Sequence, residues 1–494
     1  MHLKFNCVPV PFFVVFIVSL LMASSETQNS VVEAKKTKID TPDYLPVDII
    51  YTIFTLLPIK NAIVAASTGS PRYKGSWRHN RRFLFGRDFH LQYGQQNLVA
   101  IVDHLFNSHE GNEIKTFMLH IDPVGIKALL NKWLQICTQK DLEDLELHFF
   151  LPSFTIESSV FNALHKLKTL KLIKCKIQLP EVLSGLQFLH TLSLCKLPIT
   201  EGMFHALIEH CKMLESIDLI KCSTIKKLNL IARENRHFKK LRIASCGDLK
   251  EIEIDSPTLH SIFYHGKFST IRIVQGMQLY EAFFYFTPSK KYIQPSMVEA
   301  LVKDLSHVSI LTITPVIIEG VARQGVFQEI QYCFVNVREL QLFMNGGIFC
   351  NPYHITMFLK NCPSLVTLFI DLDNYQFDLG RIWQEHQKAE LDNCNHKFIQ
   401  LKVVVLRNFK CLPSELELVK MVLQRAINLE RLVLIPPRIN GRSKFKREDT
   451  PIYEKLFSSW KASERAIVEL HEKYIKKSFI NPTHPKSWHY AYAS

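Results

Sequence analysis

Apolar residues recur along most of the chain at one fixed spacing, Leu-x-x-Leu-x-Leu. The frame stands at Leu142/Leu145/Leu147, Leu167/Leu170/Leu172 and Leu189/Leu192/Leu194, and again at Val337/Leu340/Leu342 and Leu429/Leu432/Leu434. Three copies carry a leading cysteine: Cys211 before Leu214, Ile217 and Leu219; Cys246 before Leu249, Ile252 and Ile254; Cys362 before Leu365, Leu368 and Ile370. Central positions 145, 170, 192, 217 and 241 lie 25, 22, 25 and 24 residues apart. Alternate residues of a strand point to one side, so Leu-x-Leu fills one core layer, and the first Leu enters it from the preceding turn. A unit this short cannot bury its own apolar side. Stacked repeats, each a strand plus a return segment, must share a core.

The return segments differ. Residues 199–211 are amphipathic, with Met203, Phe204, Leu207 and Ile208 on one face and Thr200 placed to cap the N-terminus. Between Leu241 and Ile273 there is no room for helices, because Leu241, Ile252, Ile262 and Ile271 open apolar pairs only 11, 10 and 9 residues apart. This spacing predicts strands alternating between the inner and outer faces of a solenoid. Further strands are predicted over 114–121, 282–286, 308–313 and 401–406, and helices over 98–106, 124–137 and 295–305. Ser414 and Glu417 have capping-box spacing before a helix with Leu416, Val419, Leu423 and Ala426 on one face. Residues 428–434 read as a strand that Pro436-Pro437 stops, and residues 460–477 as a helix covering the open end of the stack.

Ahead of the repeats, Leu45, Ile49, Ile50, Ile53, Phe54 and Leu57 form one helical stripe. Pro46 suits a first helical turn and Pro58 ends the pattern. A second apolar helix, residues 59–66, follows at once. Two helices this short cannot bury both faces on each other, so apolar surface is left for another domain or protein. The block Leu45-Pro46-Val47-Asp48-Ile49-Ile50 through Leu57-Pro58-Ile59-Lys60 resembles the F-box, the helical module that docks a Skp-type adaptor in SCF ubiquitin ligases. The family's closing Leu-Ser-x-x-Trp run departs here: Gly69, Ser70 and Tyr73 stand in its place, and Trp77 follows one helical turn on. Residues 85–89 resemble the strand that follows the F-box. The strand–helix–strand of residues 398–436 resembles the FBD motif of plant F-box/leucine-rich-repeat proteins.

This resemblance implies an α+β chain: a three-helix F-box followed by an α/β leucine-rich-repeat solenoid, or horseshoe. The divisions are an apolar leader (1–23), a polar tail (24–43), the F-box (44–83), a linker with a first repeat-like segment (84–141), the solenoid (142–437) and a basic loop with a capping helix (438–494). It implies a substrate-recognition subunit rather than an enzyme. The adaptor contacts carried over from the F-box pattern are Leu45, Pro46, Ile49, Ile50, Ile53, Leu57 and Pro58. The expected partners are the Skp-type adaptor, through it cullin and RING subunits, and a protein substrate. Substrate contacts are expected on the strand residues between two inward positions: Lys171, Ser193, Asp218, Arg242, Phe263 and Gln341.

Composition changes this picture little. The formal charge of +14 comes from 60 Lys and Arg against 46 Asp and Glu. They are spread without a long basic run, so nucleic-acid binding is not expected. The 12 cysteines include no Cys-x-x-Cys pair and recur at set places relative to leucines, as buried structural thiols of a reducing compartment would. Gly-rich phosphate loops, His-Glu-x-x-His and Gly-x-Ser-x-Gly are absent, so no cofactor, metal or catalytic residue is assigned. Residues 8–22 are almost wholly apolar and read as a secretory leader, in conflict with an F-box. A start at Met22 removes the conflict and leaves a nuclear or cytoplasmic protein without a membrane. If the leader acts, the chain is instead a secreted or membrane-routed repeat protein. A third reading is a repeat scaffold whose F-box no longer engages the adaptor.

Overall fold

A computed structural model describes residues 46–68, 74–274, 279–287, 294–322, 334–345, 349–373, 375–437, 450–471 and 481–488. The leader, the tail, Leu45, residues 69–73, the basic loop 438–449 and residues 472–480 lie outside them. Two compact units divide between Leu192 and Ser193.

The first unit opens with helix α1 (Val47–Leu56), preceded by Pro46 and followed by Pro58, and with α2 (Ile59–Thr68). After α2 the next described element is a single 3-10 turn, Ser76–His79, where a third helix was expected. Strand β1 (Arg82–Phe85) follows, then α3 (Arg87–Asn107), interrupted at Gly94 (φ 71°, ψ 169°). The strand expected over 85–89 therefore ends at Phe85, and Arg87 to Phe89 form the first turn of α3. Next come β2 (Thr116–Ile121), α4 (Lys127–Thr138), β3 (Asp144–Phe149), β4 (Thr155–Ile156), α5 (Ser158–Ala163), β5 (Thr169–Ile173) and β6 (Lys176–Ile177). Strands β1, β2, β3 and β5 pair in parallel, with Phe83, Phe117, Leu145 and Leu170 in one register row. The repeat frame thus begins two strands earlier than the leucines suggest, with phenylalanine in the leucine places.

Strand β7 (Thr191–Cys195) contains the division. The second unit then holds α6 (Glu201–His210), β8 (Ser216–Ile220), β9 (Lys227–Ile231), β10 (Lys240–Ala244), β11 (Glu251–Asp255), β12 (Ser261–Gly266), β13 (Thr270–Ile273) and β14 (Glu281–Phe286). After these come α7 (Pro295–Asp304), β15 (Ile310–Ile313), α8 (Pro315–Ala322), β16 (Glu339–Phe343), α9 (Pro352–Leu359), β17 (Thr367–Asp371), α10 (Lys388–Asn393), β18 (Val403–Arg407), α11 (Pro413–Arg425), β19 (Arg431–Ile435), α12 (Thr450–Trp460) and β20 (Ile467–Leu470). Ten of these strands, β8, β10, β12 and β14 to β20, form one parallel sheet. Leu241, Ile262, Ala282, Leu311, Leu340, Leu368, Val404 and Leu432 share one row. Strands β9, β11 and β13 make a second parallel sheet, as the spacing of 9 to 11 residues predicts. Thr200 caps α6 as expected, its Oγ1 accepting from Met203 N at 3.2 Å.

The chain leaves the strands through a recurring left-handed residue: Lys174, Lys196, Lys221, Ser245 and Asn408 have φ between 53° and 58°. Cys175, Cys222 and Cys246 follow three of them and are buried. The Cys222 thiol donates to Leu194 O at 3.3 Å and that of Cys246 to Leu219 O at 3.6 Å, each tying one turn to the repeat before it. Burial pushes the Cys175 and Cys211 thiols up to about 12. They stay protonated fillers, since a nucleophile would need the thiolate.

Two C-terminal expectations are corrected. The N-cap of α11 is Leu412, which has no side-chain acceptor, and only the reach-back half of a capping box forms: Glu415 Oε2 accepts from Lys410 N at 2.6 Å and Leu412 N at 3.3 Å. Pro413 opens the helix, so its N-cap is Leu412, two residues ahead of Ser414. Glu417 instead pairs with Lys388 at 3.4 Å. A helix was expected over 460–477; α12 instead ends at Trp460, Ile467-Val468-Glu469-Leu470 is a strand on the edge of β19, and residues 472–477 lie outside the described residues. A free edge of backbone donors and acceptors is better satisfied by another strand than by a helix end.

Candidate functional site

Helix α1 carries its apolar residues on two sides. Phe54 turns inward and is buried, as are Ile59, Ala62 and Ile63 of α2. Ile49, Ile53 and Leu56 point out, 46%, 43% and 64% exposed. Their spacing of four and three places them on one stripe. Of the residues expected to dock an adaptor, Ile49 and Ile53 are thus on the exposed face and Pro46 is exposed beside it. Leu57 and Pro58 are half-buried at the helix end. Leu45 and the Ile50 side chain lie outside what is described. Leu56 replaces Leu57 on the stripe, a one-residue difference that helical phase alone leaves open.

One buried side chain holds this helix to the sheet. Asn80 occupies the first position of the repeat frame, three residues before Phe83, where later repeats have an apolar residue, most often leucine. Its Nδ2 donates to Phe54 O and Leu57 O, each at 2.7 Å, and its Oδ1 accepts from Arg82 N at 2.7 Å. Phe54 and Leu57 supply carbonyls at the end of α1, where no intrahelical donor remains. The Asn80 carbonyl in turn lies 2.9 Å from His109 Nε2, and Lys140 Nζ approaches His109 Nδ1 at 2.8 Å. An ammonium can only donate and a carbonyl can only accept, so His109 is neutral with its proton on Nε2. Burial, with the charge of Lys140, pulls the His109 pKa down to about 4.

The strand positions expected to meet a substrate divide differently. Lys171 is half-exposed, 3.5 Å from Glu146, which also faces His120 at 3.6 Å. Arg242 is half-buried and makes a two-pronged pair with Asp218, and Asp218 and Ser193 are themselves buried. Phe263 and Gln341 are buried too. They were expected to be open, and residues near the end of the same chain cover this part of the face. His484 Nδ1 is 2.8 Å from Thr312 Oγ1, and Thr312 donates to Gln341 Oε1 at 3.2 Å. Phe263 meets the rings of His484 and Trp488 at centroid distances of 5.0 and 5.6 Å. Sequence periodicity carries no signal for this, because the contact joins positions about two hundred residues apart.

Acidic residues ring the covered area. His484 Nε2 lies 3.3 Å from Glu281 Oε2. That contact, against the opposing effect of burial and helped by Ser261, holds the Glu281 carboxyl down to about 2. Lys486 Nζ reaches Asp371 at 3.2 Å and Asp373 at 3.1 Å. Burial lowers its pKa, but the two carboxylates outweigh that and hold it above the ordinary lysine value. Among the described residues, no group of three or more His, Cys, Asp or Glu is arranged to hold a metal. Nor is any helix among them long and apolar enough to cross a membrane.

Comparison with known proteins agrees with this architecture. Residues 105–485 match the family described as "At1g61320/AtMIF1, LRR domain". The "Putative FBD-associated F-box protein At1g61330" of Arabidopsis thaliana is 28% identical over 84% of this chain and 96% of its own length. The "FBD-associated F-box protein At1g61320" of the same plant is 26% identical over 89% of this chain and 99% of its own. The "F-box/FBD/LRR-repeat protein At1g13570", also from Arabidopsis thaliana, is similar over a shorter stretch, 36% of this chain and 44% of its own. With its parallel repeat sheet and a family match over more than half its length, this chain belongs to the At1g61320/AtMIF1 leucine-rich-repeat family.

Proposed function

We propose that this chain is the substrate-recognition subunit of an SCF-type E3 ubiquitin ligase. Helices α1 and α2 form an F-box that docks a Skp-type adaptor, and the repeats hold a protein substrate. The observation that carries this reading is the stripe Ile49, Ile53 and Leu56, exposed and apolar on a short helix whose other side is locked into the first unit. Leaving three such residues in water is unfavourable by roughly 2 kcal/mol each relative to burial, which a partner surface would recover. The relatives named as F-box proteins support the same assignment. The ligase chemistry then lies in other subunits. This chain contributes proximity, raising the concentration of substrate around the loaded conjugating enzyme. It acts in the nucleus or cytoplasm, where the adaptor and cullin operate.

The test is co-purification with a Skp-type adaptor. Leu45→Ala with Pro46→Ala removes the start of the docking helix and is expected to abolish recovery of the adaptor. Full recovery would overturn the interface. One sequence feature favours a second reading, a secreted repeat-binding protein: the apolar run of residues 8–22. Localising full-length and Met22-start fusions separates the two, since only a functional leader sends them to different compartments.

A further inference from the structure

Residues 481–488, Asn-Pro-Thr-His-Pro-Lys-Ser-Trp, lie across the strand-centre residues of the second unit. His484 is 1% exposed, with its ring edge-on to Phe263 and Phe283. Trp488 packs edge-on against the same two phenylalanines, at 5.6 and 6.0 Å. Lys486 joins Asp371 and Asp373 and lies 5.4 Å over the Phe343 ring. Thr483 donates its N–H and hydroxyl to Glu339 at 2.7 and 2.9 Å, and Asn481 Oδ1 accepts from Arg407 at 3.0 Å.

This segment has the properties of a bound peptide more than those of a core element. It forms no strand or helix. The contacts named above run through its side chains, apart from the Thr483 N–H. Its two prolines cannot donate a backbone hydrogen bond and each fixes one backbone torsion, which lowers the ordering cost on binding. Four carboxylates, those of Glu281, Glu339, Asp371 and Asp373, meet the segment directly, the last two through the ammonium of Lys486. The two phenylalanines supply an apolar seat for an aromatic ring.

We propose that this face is a peptide-recognition groove whose ligand presents a histidine, a lysine two residues on and a tryptophan two residues further. Residues 481–488 occupy it in cis until such a segment of a partner displaces them. The tethered copy acts at a high effective concentration, so only a partner that binds more tightly or at more points takes its place. This rests on the substrate-receptor reading only for what carries the competing segment. The binding itself needs no adaptor.

The experiment uses the full chain and a fluorescent synthetic peptide of residues 481–488, followed by anisotropy. Lys486→Glu with Trp488→Ala loosens the tethered copy. The expected result is that this variant binds the peptide at least about tenfold more tightly than the wild-type chain does. Adding Asp373→Lys, at the half-exposed end of the groove, is expected to cost about fivefold of that gain. Equal binding by wild type and variant, or binding indifferent to Asp373→Lys, would overturn the proposal. So would loss of the variant's cooperative thermal transition, which would make the segment part of the core. No adaptor is present, so failure of the ligase assignment leaves this outcome untouched.

Discussion

Asn80→Ala tests how helix α1 is held. The substitution removes both Nδ2 bonds, to Phe54 O and Leu57 O, and the Oδ1 bond to Arg82 N. A hydrogen bond contributes about 1 kcal/mol net, and more where its partner is left buried. The Phe54 carbonyl is buried, while the other two sites are partly open to water. The expected loss is therefore about 2–3 kcal/mol, concentrated at the end of α1. Asn80→Asp keeps the acceptor but turns an oxygen toward the two carbonyls, so it is expected to cost more than alanine despite its equal size. Hydrogen exchange read by mass spectrometry on a peptide spanning 47–57 is the assay, with strand β3 as the internal reference. Faster exchange in α1 at unchanged exchange in β3 is the expected outcome. An α1 that exchanges as in wild type, or an aspartate milder than alanine, would refute the assigned role of Asn80.

Three other perturbations probe the turns and the buried histidines. A Cβ at Gly185 would overlap the Phe161 carbonyl oxygen and crowd that of Asn162, so Gly185→Ala is expected to destabilise by about 3 kcal/mol, measured by denaturant unfolding. At Lys221 (φ 53°) glycine relieves left-handed strain but loosens the unfolded chain, so Lys221→Gly should fall within about 1 kcal/mol of wild type. Lys221→Val, stiff at its β-carbon, should be clearly worse in the same assay. His109 and His354 are each held neutral chiefly by burial, at about 4 against 6.5 unfolded. Their contribution is complete above pH 6.5 and is lost as the pH falls toward 4, up to about 3 kcal/mol apiece. Thermal unfolding between pH 7 and 4 should show this loss, reduced in His354→Gln.

The repeat sheet was readable because its core obeys one spacing that survives substitution. Leu279, Ala282 and Phe284 keep the frame as faithfully as Leu167, Leu170 and Leu172, and all are buried. Strand β1 escaped a leucine search because Asn80, Phe83 and Phe85 fill the frame with other residues. Spacing likewise revealed β11 and β13, since 9 to 11 residues leave no length for a helix. The helix expected after Trp460 failed for the opposite reason. Local periodicity cannot register the open edge of β19, which recruits Ile467 to Leu470 as a strand. On α1, phase fixed Ile49 and Ile53 but left Leu56 and Leu57 to be separated by packing. The covering of Phe263 and Gln341 lay outside sequence reasoning altogether. Each reads as an open strand centre until residue 484 is placed beside it.

Helix α1 is proposed to dock a Skp-type adaptor through its exposed stripe of Ile49, Ile53 and Leu56. The most direct test is biolayer interferometry with purified adaptor, comparing the wild-type chain with Ile53→Asp combined with Leu56→Asp. Both positions face solvent in the free chain, so the fold should survive and thermal unfolding should be unchanged. The expected result is a stable complex with the wild type and an affinity at least about 100-fold weaker for the variant. A wild-type chain that fails to bind, or a variant that binds equally well, would contradict it.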